Sequence, residues 1–433
     1  MKRQRPRPRP AQRPPLPPAA PVERELVVSA VGARGDGLVA GEERLFAPFT
    51  LPGERVRARV VGDRAEVLEV LEPSAARQRP PCKHFGRCGG CQLQHWQEAP
   101  YLAWKRAQVI EALSRRGLRG VDVDETVLAW GAGRRRASFT GSRQNGRVRL
   151  GFIERGTARL APLEQCVVLT PKLEALAPKL ADLAALVMPE RGDVAIACLE
   201  TDAGVDVSVK GAGRMDALLR FKFSELVDVA NALDLARLSV DGEPIVTRKA
   251  PSVRMGRAIV HNPPGAFLQA TAEGEETLAR LAGEALAGAK RVVDLFSGIG
   301  TFALRLAAES EVLAVESDAN MLAALKAGAD GAGGALKQVS ILRRDLFRTP
   351  LSTLEMRKFD GAVIDPPRSG ARLQAEQIAR APIRKLAYVS CDPASFARDV
   401  PVLIEHGFSL TRVTPVDQFR WSPHIELVAA FER

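Results

Sequence analysis

The sequence predicts an α/β protein: a doubly wound, Rossmann-like sheet over residues 264–433, with a small β-barrel (23–77) and a mixed α+β segment (78–263) ahead of it. Three observations carry this reading. From about Pro264 short apolar runs alternate with helical stretches, the pattern of strands crossing over through helices. One of these strands, residues 291–296, runs into a Gly-x-Gly turn, Ser297-Gly-Ile-Gly-Thr301, and then a helix at 302–308. Residues 23–72 hold only short β-rich runs broken by Gly and Asp, the signature of a compact barrel.

The 433 residues are 46% hydrophobic and 26% charged, enough apolar material for real cores. No apolar run approaches the roughly 18 residues a bilayer crossing needs. The N-terminus is basic and Pro-rich with no apolar stretch behind it, so it is not a secretory signal. A cytoplasmic protein with no membrane partner is expected. The net charge is +11, and six of the positive charges fall in the first thirteen residues. Without that tail the body is only mildly basic. Residues 1–22 lack the apolar content to fold and read as an extended, disordered tail. The excess charge fits a polyanionic partner, although a solvating tail explains it equally well.

Taken in order, residues 25–31, 55–61 and 65–71 are the barrel strands, with turns at Gly32–Gly37 and Gly62-Asp63. Barrels of the OB type commonly carry nucleic acid. Residues 80–95 read PPCKHFGRCGGCQLQH, placing Cys82, Cys88 and Cys91 in one tight loop. In a large chain without a secretory signal, clustered cysteines point to a metal or cluster rather than disulfides. The fourth ligand is Cys166 or Cys198, with Cys198 in a β-like run that favours a core role. Four thiolates suit zinc or a 4Fe-4S cluster, and spacing does not separate them. Residues 101–116 form a helix with an apolar stripe of Leu102, Val109, Ile110 and Leu113, ended near Gly117. Arg134, Arg135, Arg136, Arg143, Arg147 and Arg149 interleave with Phe139 in β-like segments that can line an RNA groove, although a charged exposed strand explains them equally well.

Beyond Pro264, a helix at 274–289 leads to the strand at 291–296, and further strands follow at 312–316, 339–342, 359–364, 386–390, 410–416 and 427–431. Glu316 ends a strand 22 residues after Asp294, suited to ribose hydroxyls. Asp365-Pro-Pro-Arg368 closes a later strand, a loop common on the substrate side of S-adenosylmethionine folds. Ser390-Cys391-Asp392-Pro393 ends another, where open α/β sheets present residues to a ligand. One activated thiol and one carboxylate are what methylation of uracil carbon 5 needs. A thiolate adds to carbon 6, carbon 5 is methylated as an enolate, a base takes the carbon 5 proton, and the thiolate leaves. Cys391 and Glu426 fit these roles. A second cysteine after the Asp365-Pro-Pro motif, expected for cytosine chemistry, is missing.

These motifs together resemble the RNA 5-methyluridine methyltransferase family in its iron–sulfur, ribosomal-RNA branch. The resemblance rests on C-x5-C-G-G-C with Gln94-His95, Phe267-Leu-Gln269, Asp294–Gly300, Asp365–Gly370, Ser390–Asp399, Asp417-Gln-Phe419 and His424-Ile-Glu426, and it spans residues 23–433. It implies an N-terminal TRAM domain and a 4Fe-4S cluster on Cys82, Cys88, Cys91 and Cys166. It implies S-adenosylmethionine contacts from Gln269, Phe296, Gly298, Gly300, Thr301, Glu316, Asp345 and Asp365. It makes Cys391 the nucleophile and Glu426 the base, in a monomer acting on 23S ribosomal RNA. A transfer-RNA uridine methyltransferase and a catalytically silent ribosome-assembly factor are the rival expectations. Three positions depart from the family pattern: Ser297 for Cys, Ser395 for Thr, and Arg420 for Pro, the last bearing on the loop before Glu426.

Overall fold

A computed structural model describes residues 20–41, 44–214 and 220–433. The tail expected at 1–22 lies, but for its last three residues, outside them. The chain divides after Arg77 into two compact units.

In the first unit β1 (Val22–Val31), β2 (Asp36–Val39), β3 (Phe46–Pro48), β4 (Arg55–Val61) and β5 (Arg64–Glu72) close into a barrel of order β1-β2-β3-β5-β4. Strand β4 shows how the sequence dictates this. Val56 and Ala58 are fully buried, while Arg55, Arg57 and Arg59 alternate outward. That arginine row is matched by acids on the neighbouring strands: Arg55 with Glu25 and Glu72, Arg57 with Glu69, Arg59 with Glu66. The barrel wall is therefore charge-balanced on this face rather than a bare basic stripe.

The second unit holds two large sheets. One contains β7 (Arg136–Gln144), β8 (Arg147–Ile153), β9 (Leu160–Pro162), β10 (Val194–Thr201), β11 (Gly204–Lys210), β12 (Leu235–Val240) and β13 (Glu243–Thr247), in the order β13-β12-β11-β10-β7-β8-β9. The other is built mostly from the C-terminal part. It orders β18 (Val339–Arg343), β17 (Glu311–Glu316), β16 (Arg291–Leu295), β19 (Gly361–Ile364), β20 (Lys385–Ser390), β22 (Glu426–Glu432) and β21 (Ser409–Asp417), with β6 (Val127–Leu128) at the edge. A hairpin, β14 (Ser252–Met255) with β15 (Ala258–His261), stands between the two in sequence. Strands β16 to β20 are parallel, and β22 runs antiparallel to both β20 and β21.

The helix expected at 101–116 spans Glu98–Ser114, and its buried face differs from expectation. Tyr101, Trp104, Lys105, Val109 and Leu113 are buried, whereas Ile110 is exposed. Val109, Leu113 and Val123 share one apolar core with Leu386, Phe396 and Phe431 of the C-terminal sheet. The arginines expected to line one groove separate. Arg136 starts β7, while Arg143 lies seven residues on, about 23 Å away along an extended strand, beside Arg147 and Arg149 of β8.

Candidate active site

Strand polarity assembles the site. The parallel strands β16, β17, β19 and β20 all end at one edge, so Phe296, Glu316, Asp365 and Cys391 emerge together. Glu426 belongs to the antiparallel strand β22, whose start lies at that same edge. The register pairs Ser390 with Leu427, which sets Cys391 across from Glu426 although 34 residues separate them in sequence.

After β16 the chain turns through Phe296 at φ 66°, Gly298 at φ 56° and Gly300 at φ 103°. Gly300 is required twice over, since a Cβ there would sit 2.8 Å from the Leu304 side chain. The Glu316 carboxylate holds the turn, accepting from the Gly298 N–H at 3.2 Å and from the N–H groups of Ser317 and Asp318. Asp345 accepts from the N–H groups of Phe347 and Arg348, and the Phe347 ring packs 5.4 Å from that of Phe296. Thr301 closes the turn, its carbonyl accepting from Arg305. The turn thus presents backbone and an aromatic face, with acids on either side.

Cys391 is half-buried at the start of the helix Pro393–Glu405, whose N-cap Asp392 accepts from the Ser395 N–H. Burial, reinforced by the charges of Glu426 and Asp365, pushes its thiol up to about 11, against the pull of Arg368. Burial likewise pushes Glu426 up to about 8 and Asp365 up to about 7, with the Asp365 charge adding to the effect on Glu426. A carboxyl raised in this way is a stronger proton acceptor once ionised. Gln418 bridges the site: its Nε2 donates to Glu426 Oε1 at 3.3 Å and to Gln269 Oε1 at 2.7 Å, and its Oε1 accepts from the Ala270 N–H. His424 is held neutral, its value lowered to about 4 by burial and by Arg368, Lys105 and Arg134, while Arg368 donates to its Nδ1 at 2.7 Å. Arg136 stacks over Phe267 at 4.3 Å. Asp399 ties the Asp365 loop to the helix after the thiol, accepting from the Ala371 N–H and the Tyr388 hydroxyl.

This chemistry finds its counterpart in known proteins. Residues 249–433 match the family described as tRNA (Uracil-5-)-methyltransferase. An uncharacterized RNA methyltransferase of Brucella melitensis is 43% identical, covering 94% of this chain and 98% of its own length. The 23S rRNA (uracil(1939)-C(5))-methyltransferase of Halomonas elongata is 33% identical over 94% of this chain and 89% of its own. This chain belongs to the RNA (uracil-5-)-methyltransferase family. As such it is an enzyme that uses S-adenosylmethionine, not a silent assembly factor. The Pyrococcus abyssi tRNA (uracil-54, C5)-methyltransferase, solved with S-adenosyl-L-homocysteine, shares the fold at a TM-score of 0.73 and 20% identity, covering 94% of this chain and 99% of its own.

In this methyltransferase the cysteine loop packs against the segment that delivers Glu426. The Gln92 and Leu93 N–H groups both donate to the Trp421 carbonyl, at 2.9 and 3.0 Å. Gly89 lies against Ile153, whose carbonyl a Cβ would meet at 2.7 Å. Cys82, Cys88, Cys91 and Cys166 line one cavity of about 490 Å³, and Cys198, buried in β10, borders it too. Burial raises the Cys91 thiol to about 11 and that of Cys166 to about 12, with Cys82 and Cys88 adding to both and Cys91 adding to Cys166. A bound metal is not shown: among the described residues no group of three or more His, Cys, Asp or Glu is placed to hold a metal ion. Nor is any helix among them long and apolar enough to cross a membrane.

Sequence reasoning missed the anchors of the loop between β21 and β22. Lys105 and Tyr101, one helical turn apart, both reach Asp417. Arg420 lies between Trp130 and Trp421, 4.2 and 4.0 Å from their ring centres. A lysine and a tyrosine in a helix carry no signal of a partner more than 300 residues away. The signal available was Asp417-Gln-Phe419, which was legible as a motif but not as a hub.

Proposed function

We propose that this enzyme methylates carbon 5 of a uridine in 23S ribosomal RNA through a covalent adduct between Cys391 and carbon 6 of the base. The observation that carries this is the register of β20 and β22, whose last pair, Ser390 with Leu427, brings Cys391 next to Glu426, close enough for the charge of Glu426 to act on the thiol. S-adenosylmethionine supplies the methyl group. Gln269, Phe296, Gly298, Gly300, Thr301, Glu316, Asp345 and Asp365 form its site, with Phe296 offering a ring face and the Gly turn offering backbone. Arg368 favours the thiolate of Cys391, and the helix N-terminus behind Cys391 acts in the same sense. Glu426 takes the carbon 5 proton after methyl transfer, oriented by Gln418. His424 is a poor rival for this proton: its lowered basicity and its bond from Arg368 leave it little affinity for one.

Cys82, Cys88, Cys91 and Cys166 hold a 4Fe-4S cluster in this reading. Their lining of one cavity and their mutual electrostatic influence support it. The cluster's part is structural, because transfer of a methyl group from a sulfonium needs no electron. The enzyme works as a cytoplasmic monomer, its barrel acting as a TRAM domain on RNA. The Halomonas relative's name favours ribosomal RNA, while the matching family's description names transfer RNA. Mass-spectrometric mapping of 5-methyluridine in both RNAs, from cells with and without the enzyme, decides between them. Loss of the modification from 23S RNA is expected. Loss from transfer RNA alone overturns the ribosomal assignment, and loss from neither overturns the activity on both.

A further inference from the structure

The segment 418–425 joins β21 to β22 and ends on Glu426, so its shape decides where that carboxylate points. Val416 pairs with Glu426, which means the loop leaves and re-enters the sheet at adjacent positions. Across this narrow mouth lies one ammonium group. Lys105 Nζ donates to Asp417 Oδ1 at the loop's start and to the His424 carbonyl, at 2.6 Å, near its end, with the Phe419 carbonyl 3.4 Å away. Its three protons thus meet three acceptors of one loop. Tyr101 adds a second clasp, its hydroxyl donating to Asp417 Oδ2 at 2.8 Å. The side chains of Lys105 and Asp417 are both wholly buried.

A buried lysine is costly to maintain and is retained only where its pairing is complete. Here the pairing is not spent on the lysine's own helix. It spans the two ends of a loop from another part of the chain. We propose that Lys105 is a positioning residue for the second half of the reaction: it clamps the 418–425 loop shut and so aims Glu426 at the carbon 5 proton. Cys391 directly follows β20, outside this loop, so thiol addition does not depend on the clamp; methyl transfer feels it through the Gln418–Gln269 contact and is slowed less than proton removal. The proposal rests on Glu426 being the base.

The test uses full-length enzyme, substrate RNA and methyl-labelled S-adenosylmethionine. Lys105→Met is expected to form the covalent RNA adduct and transfer the label, but to release product at least tenfold more slowly. A labelled protein–RNA band then accumulates on denaturing electrophoresis. Amide hydrogen exchange at residues 419–426 is expected to speed up in the same variant. Tyr101→Phe, which removes a single hydroxyl, should show both effects more weakly and covers the case in which Lys105→Met does not fold. Two results overturn the proposal: unchanged exchange across the loop, or adduct formation lost together with release. Glu426→Gln run in parallel separates the two ideas. If it accumulates no labelled adduct, the base assignment fails, while the clamp stands or falls on the exchange data alone.

Discussion

Arg420 offers the sharpest energetic test, because the related family usually has Pro there. Its guanidinium carbon lies 4.2 and 4.0 Å from the ring centres of Trp130 and Trp421. Each such contact is worth about 0.5–1 kcal/mol when exposed and about 2 when desolvated. The residue is half-buried, so the pair contributes roughly 2 kcal/mol. Trp421 has φ 58°, a left-handed conformation that side-chain-bearing residues adopt at some cost, so its neighbours must hold it there. Arg420→Ala should therefore lower the melting temperature by about 2 °C for a chain of this size. Arg420→Lys keeps the charge but loses the flat stack and should fall about halfway. Differential scanning calorimetry measures both. Trp130→Leu in the Arg420→Ala background should add less than it does alone, as expected for partners in one stack. If Arg420→Ala melts with the wild type and the two substitutions simply add, the stacking argument is wrong.

Three other outcomes are expected. Burial raises Asp294, Asp365 and Glu426 from the ordinary carboxylate range to about 8, 7 and 8. In the folded state they hold protons that the unfolded chain has released. Their contribution to stability is complete below about pH 4 and is lost as pH rises toward 8. The ligand-free enzyme should thus melt lower at pH 8 than at pH 6, and cationic S-adenosylmethionine should protect it more at pH 8; scanning fluorimetry showing a flat profile would argue against the buried acids. Glu426→Gln should trap a methyl-labelled covalent RNA adduct on a denaturing gel, and Cys391→Ala should form none. Turnover by Glu426→Gln at the wild-type rate would remove Glu426 from the mechanism. Anaerobically purified enzyme should contain iron and acid-labile sulfide, and Cys166→Ser should lose both along with thermal stability. Stoichiometric zinc without sulfide would exclude the cluster.

Much of the C-terminal sheet was legible because its strands are buried on both faces and read as continuous apolar runs, such as Gly361–Ile364 and Lys385–Ser390. The strands β2, β3 and β6 were not, at two to four residues each, because so short a segment carries no period. The helix Glu98–Ser114 was found but turned wrongly, since Lys105 reads as a solvent-facing residue and Ile110 as a core one. Its real inward face follows polar partners on the 418–425 loop, which no local pattern encodes. The site divides in the same way. Cys391, Glu426 and the Gly turn sit at strand ends and in motifs; Gln418 was legible within a motif but not in its role, and Lys105 and Arg420 act through contacts closed by the fold.

The strand that carries Glu426 follows both of its neighbours in sequence, yet it lies inside the sheet. It lies between β20 and β21, both made earlier. The growing chain must therefore fit β22 between two strands that precede it. Until β22 has been made, Ser390 has no partner on that side and Cys391 has no acid opposite it. A nascent chain can expose the thiol before it can complete the pair, so the order of synthesis delivers the nucleophile first and the acid second.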